Sequence, residues 1–165
     1  MNSKTIVIAI VGIFTFLLGS YFVIQATSTP DVKVASYSSS AKEKPEVEVK
    51  STSFDMGKMK VSEQKTAEFM LKNTGAKPLQ LYDISSSCGC TVGQISYLGK
   101  ESKEFGMHSV GAFGTPIAPN TEAKVKITYR PYVMPVYGKV EREVYISTND
   151  PQNPKLVFQV KAFVQ

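Results

Sequence analysis

Ala123-Lys124-Val125-Lys126-Ile127-Thr128-Tyr129-Arg130 places an apolar side chain at every second position and a polar one between. A strand sends successive side chains to opposite faces. A period of two therefore means an extended segment with one face in a core and the other in water. Outward from this stretch the same pattern recurs. Pro131 and Pro135 forbid a central strand just after it, and the segment from Val140 to Ser147 resumes the extended pattern. The cluster Asn149-Asp150-Pro151-Gln152-Asn153-Pro154 is a turn, and Leu156, Phe158, Val160, Ala162 and Val164 alternate through a last strand.

On the N-terminal side, Ile117-Ala118-Pro119-Asn120-Thr121 reads as a turn, preceded by an irregular stretch. Ala67, Phe69 and Leu71 alternate with Glu68, Met70 and Lys72, and Asn73-Thr74-Gly75 ends that strand with residues that tolerate left-handed backbone angles. Leu79 to Ile84 is a further strand. Val47 and Val49 alternate with Glu46, Glu48 and Lys50 in a strand that continues toward Phe54, and Asp55-Met56-Gly57-Lys58 looks like a turn. About seven strands at roughly ten-residue spacing predict an all-β domain over residues 46–165, an immunoglobulin-like antiparallel β-sandwich. The chain has no Trp and its two Cys are too close together to bridge two sheets. Aliphatic, Phe and Tyr burial must hold the core, at ~25 cal/mol per Å² of apolar surface.

The N-terminal part differs. From Thr5 to Ile24 no side chain is charged, and roughly 20 such residues suffice for a helix to cross a hydrocarbon core of ~30 Å. Lys4 and the amino terminus lie on one side, and the next cation is Lys33. The positive-inside bias predicts one transmembrane helix in residues 1–25 with the C-terminal domain outside the cytoplasm. The alternative is a signal segment cut near Ile24-Gln25-Ala26, which would leave a secreted domain, although the usual A-x-A pattern is missing. Residues 26–45 are rich in Ser, Thr, Lys and Ala and read as a flexible linker. The formal charge of +5 and pI near 9.1 come from scattered lysines. No basic and aromatic residues interleave, so no nucleic-acid partner is expected.

The only cysteines, Cys88 and Cys90, lie in Ile84-Ser85-Ser86-Ser87-Cys88-Gly89-Cys90-Thr91-Val92. In an extended strand their Cα atoms would lie about 6.6 Å apart with parallel side chains, near the upper limit for a disulfide and poorly aimed. Gly89 can bend the backbone enough to close a small, easily reduced ring. Three states follow: buried thiols that act as small apolar groups, a redox disulfide, or a soft-metal site. For the last, Met107 and His108 complete a Cys88, Cys90, Met107, His108 set that suits copper, with zinc as a second choice. No phosphate-binding glycine loop, hydrolase elbow or carboxylate pair is present, and no enzyme activity is expected.

Phe54-Asp55-x-Gly57, Asn73-Thr74-Gly75-x-x-Pro78-Leu79, Ser87-Cys88-Gly89-Cys90-Thr91, Ile117-x-Pro119 and Ser147-x-Asn149-Asp150-Pro151 follow one another along the chain. This series resembles a bacterial family of uncharacterised Ig-like domains related to the major-sperm-protein and Hydin-like domains, over nearly all of residues 48–165. The resemblance implies an exported Ig-like sandwich without established activity. Pro119-Asn120 stands where such domains usually have Pro-Gly, and the stretch from Ser96 to Gly114 looks like an insertion. The expected role is a membrane-anchored extracytoplasmic interaction or structural module with an envelope protein partner. A copper- or zinc-binding protein is the alternative.

Overall fold

The computed structural model describes residues 2–27 and 33–165. The chain divides into two units, an N-terminal helix and a β domain. Helix α1 (Ser3–Thr27) carries Ile10, Val11, Ile13, Phe14, Phe16, Leu17, Leu18 and Tyr21 exposed, so its described middle is apolar all round. The polar groups there are satisfied locally, because the Thr15 hydroxyl donates to the Val11 carbonyl and the Ser20 hydroxyl to that of Leu17. Among the described residues no helix is long and apolar enough to cross a membrane. The spanning reading of residues 1–25 thus rests on the sequence.

The β domain is a sandwich of two five-stranded sheets, ten strands where about seven were expected. One sheet runs β1 (Val47–Val49), β3 (Lys65–Asn73), β8 (Glu122–Tyr129), β5 (Thr91–Tyr97), β6 (Lys100–Glu101). The other runs β2 (Ser53–Met59), β10 (Lys155–Val164), β9 (Gly138–Thr148), β4 (Leu79–Ser86), β7 (Gly111–Ile117). Alternation works as read: Ala123, Val125, Ile127 and Tyr129 of β8 are all buried. Phe69 of β3 and Phe158 of β10 meet across the sandwich with ring centroids 5.1 Å apart.

Three departures from the sequence reading have physical causes. Asp55-Met56-Gly57-Lys58 is a bulge within β2: Gly57 takes φ +68°, and its N–H donates to the Asp55 carboxylate at 2.7 Å. The sandwich is not wholly antiparallel, since β2 pairs β10 in parallel. Strand β5 gave little apolar signal because its inward positions include Thr91 and Gly93, and a Cβ on Gly93 would lie 2.7 Å from Val144 Cγ1. Close approach of the sheets requires glycine there.

Of the linker read over residues 26–45, residues 28–32 lie outside the described residues, and residues 33–45 lie along the domain. The Ala35 N–H donates to the Gln80 side chain at 2.7 Å, the Lys44 carbonyl accepts from Ala76 at 3.0 Å, and Pro45 is buried.

Two polar hubs tie the loops at one end. Buried Asn73 accepts from the Gly75 N–H at 3.0 Å and donates to the carbonyls of Lys77 and Ile117 at 2.8 and 2.9 Å. Buried Asp150 accepts from the N–H groups of Val47 and Gln152 and from the Asn153 amide, at 3.0, 2.9 and 2.9 Å. Burial alone would push the Asp150 carboxyl up, but these donors outweigh it and hold the group below its ordinary range. The Asn-Thr-Gly and Asn-Asp-Pro motifs are therefore structural pins.

Candidate functional site

Strand β4 belongs to one sheet and β5 to the other, and the four residues between them, Ser87 to Cys90, carry the chain across the sandwich. That crossing needs a bend, closed by the Thr91 N–H donating to the Cys88 carbonyl at 3.4 Å. Ser87 pins the bend to β9: its N–H donates to the Glu143 carbonyl at 2.9 Å and its hydroxyl accepts from the Glu143 N–H at 3.0 Å. The bend brings the Cα atoms of Cys88 and Cys90 to 5.3 Å, and the two sulfurs form a disulfide. The extended-strand spacing that argued against a bridge does not apply, because neither cysteine lies in a strand.

The two sulfurs differ in surroundings. Cys90 is 1% exposed, whereas Cys88 is half-buried and Gly89 between them is exposed. Arg142 of β9 occupies an inward position between buried Val140 and Val144, and its Nε–H donates to Cys90 Sγ at 3.3 Å. Its guanidinium carbon lies 5.7 Å from the centre of the buried Tyr129 ring. Burial pushes the Tyr129 phenol up, against the opposing pull of Arg142, and among the described residues the phenol oxygen has no partner in hydrogen-bond geometry. The buried Thr91 hydroxyl lies 3.4 Å from Cys88 Sγ and 3.9 Å from Cys90 Sγ.

Beside this turn runs the connection from β8 to β9. Pro131 is buried at the start of a 3-10 turn (Pro131–Val133), and the residues that follow project outward. Tyr132, Val133, Met134, Val136 and Tyr137 are 48, 48, 52, 43 and 67% exposed. A Cβ added to Gly89 would lie 4.0 Å from Met134 Sδ, so loop and disulfide turn share one surface. Arg130, whose N–H donates to the Cys90 carbonyl at 2.8 Å, clamps Glu104 of the loop after β6 with two guanidinium hydrogen bonds and holds that carboxyl below its ordinary range.

The four residues expected to hold copper or zinc are placed as follows. Cys88 and Cys90 are bonded to each other, leaving no thiolate in this form, while Met107 and His108 are exposed in a turn after buried Phe105. Among the described residues no three His, Cys, Asp or Glu side chains gather where they could hold a metal ion. Arg142 escaped the sequence reading: the alternation of Val140, Val144 and Ile146 was its only signal, marking position 142 as inward.

Residues 45–162 match the model of the HYDIN/CFA65/VesB-like, Ig-like domain. No curated protein matches the chain. Among solved structures it is similar to a protein of unknown function from Porphyromonas gingivalis W83, with 25% identity and a TM-score of 0.58 over 75% of this chain and 49% of that one. It thus spans about half the length of that protein. It is also similar to a family 123 glycoside hydrolase from Clostridium perfringens, at 12% identity and TM-score 0.50 over 69% of this chain and 23% of the enzyme. At that identity the likeness concerns the fold alone. A third similar structure is the ASH/PapD-like domain of human CEP192, at 16% identity and TM-score 0.48, covering 84% of this chain and 96% of that one.

Proposed function

We propose, since the chain belongs to the HYDIN/CFA65/VesB-like family of Ig-like domains, that it is a non-enzymatic interaction module. It is held at a membrane by its N-terminal segment and works outside the cytoplasm, where it contacts an envelope protein. One observation carries the reading: five apolar side chains of residues 132–137 stand exposed together at the disulfide turn. A folded domain gains nothing in stability from apolar groups held in water, and five of them exposed within six residues mark a contact surface.

The sheet edges are poorer candidates. β1 and β6 have three and two residues, β7 carries Pro116 and a broken register, and β2 has its bulge at Gly57. These features discourage strand addition. Membrane attachment is supported by the uncharged run from Thr5 to Ile24, and an extracytoplasmic site by the disulfide, which persists in oxidising compartments.

The test is photo-crosslinking in cells from a probe residue placed at Met134 or Tyr137 of the full chain, with the exposed Lys100 as control position. The reading expects one discrete adduct from 134 and 137 in the membrane fraction and none from 100. Equal or absent crosslinking at all three positions contradicts it.

A further inference from the structure

We propose that the Cys88–Cys90 bridge is a working disulfide that oxidises a dithiol, with Cys88 the sulfur attacked and Cys90 the leaving thiolate. The proposal goes beyond docking at residues 132–137 and stands whether or not a partner binds there.

The asymmetry of the pair assigns the roles. Cys88 is the more accessible sulfur, and the neighbouring Gly89 is exposed and has no side chain to obstruct an incoming thiolate. Cys90 is buried at 1% exposure, where an unpaired thiolate would be costly. Arg142 removes that cost. Its Nε–H already points at Cys90 Sγ from 3.3 Å, from an inward position on β9. Among the described residues no carboxylate pairs with Arg142, whereas Arg130 has its bidentate partner in Glu104. Arg142 Nη1 donates to the Glu141 carbonyl at 2.8 Å, a neutral acceptor, so the anion its geometry can offset is the sulfur of Cys90 once the bridge opens. A cation beside a thiol lowers its pKa, and a thiolate of lower pKa leaves a disulfide faster. The Thr91 hydroxyl, 3.4 Å from Cys88 Sγ and 3.9 Å from Cys90 Sγ, is placed to donate to either sulfur.

A purely structural role suits the bridge poorly. It closes a loop with one intervening residue, so it restricts the unfolded chain far less than a bridge between distant segments. The turn is also already fixed by the Ser87 to Glu143 pair of hydrogen bonds.

The chemistry balances as two exchanges. One thiolate of the dithiol attacks Cys88 Sγ and forms a mixed disulfide. The Cys88–Cys90 bond breaks with its electron pair going to Cys90, which becomes a thiolate facing Arg142. The second thiolate of the same dithiol attacks its own sulfur in the mixed disulfide, closing the dithiol into a disulfide and releasing Cys88 as a thiolate that takes up a proton. The dithiol loses two electrons and the cysteine pair gains them.

The experiment uses the full chain in detergent with dithiothreitol as the dithiol, acid-quenched, alkylated and read by mass spectrometry. Arg142→Met should slow reduction roughly tenfold and raise the pKa of the reduced Cys90 thiol by about one unit, whereas Arg142→Lys, which keeps the cation, should recover much of the rate. Melting temperatures of the same samples control for folding. A second readout needs no variant: a quenched reaction of the wild-type chain with the monothiol glutathione should carry the adduct on Cys88. Wild-type rate and thiol pKa in a folded Arg142→Met protein would overturn the proposal, as would an adduct predominantly on Cys90.

Discussion

Asn73→Ala removes a buried side chain that holds three chain segments together. In the native fold its amide oxygen accepts from Gly75 at 3.0 Å and, more weakly, from Glu46 at 3.4 Å, while its amide nitrogen donates to Lys77 and Ile117. Alanine leaves those backbone groups without their partner at a position that is 0% exposed. At about 1 kcal/mol for each of the three shorter bonds, the expected loss is about 3 kcal/mol, and more if the orphaned groups stay dry. Domains of this size are stable by ~5–15 kcal/mol. With a urea slope of about 2 kcal/mol per M, the unfolding midpoint should fall by about 1.5 M. Urea titration followed by far-UV circular dichroism measures it. A fall below about 0.5 M with an unchanged slope would refute the view of Asn73 as the hub of this end of the sandwich.

Two more predictions concern the same end of the domain. Gly75→Ala puts a Cβ 2.3 Å from the Glu46 nitrogen and the Lys44 oxygen, which are backbone atoms that cannot swing aside. It should cost at least about 3 kcal/mol, whereas Gly114→Ala, with nothing within 4 Å, should melt like wild type. The folded-state pKa of Asp150 is lowered, so its stabilising share is present above the unfolded value of about 3.9 and is lost as pH falls through the folded value. The gap in melting temperature between wild type and Asp150→Asn should therefore be widest near neutral pH and close below about pH 4. A gap that stays constant down to about pH 2 would count against the hydrogen-bonded carboxylate.

Strands with strong apolar alternation were legible, because β3, β8, β9 and β10 each pack one face on the core. Sequence reasoning failed where backbone proximity replaced side-chain burial. Gly93 made β5 look irregular because Val144 fills the space a side chain would take. In β2, the residues around Gly57 look like a turn, yet the parallel partner β10 lies about a hundred residues away and holds them in a strand. The cysteine pair is plain in the sequence, which leaves its state open among thiols, a disulfide and a metal site. A straight strand would hold the two Cα atoms about 6.6 Å apart, but the chain changes sheets at that point, which draws them to 5.3 Å. Arg142 was hidden for the opposite reason: the alternation marks position 142 as inward, but a charged side chain there shows no role until Cys90 is seen beside it.

The central proposal is a bridged Cys88–Cys90 turn, on a domain proposed to lie outside the cytoplasm, beside the exposed apolar residues of 132–137. It is tested most directly by the thiol state of the protein in its own cells. Cells would be quenched in acid, alkylated under denaturing conditions and the Cys88–Cys90 peptide analysed by mass spectrometry before and after reduction. The account predicts that this peptide is unalkylated and bridged as isolated, and takes two alkyl groups only after reduction. A peptide carrying two alkyl groups without reduction would contradict it.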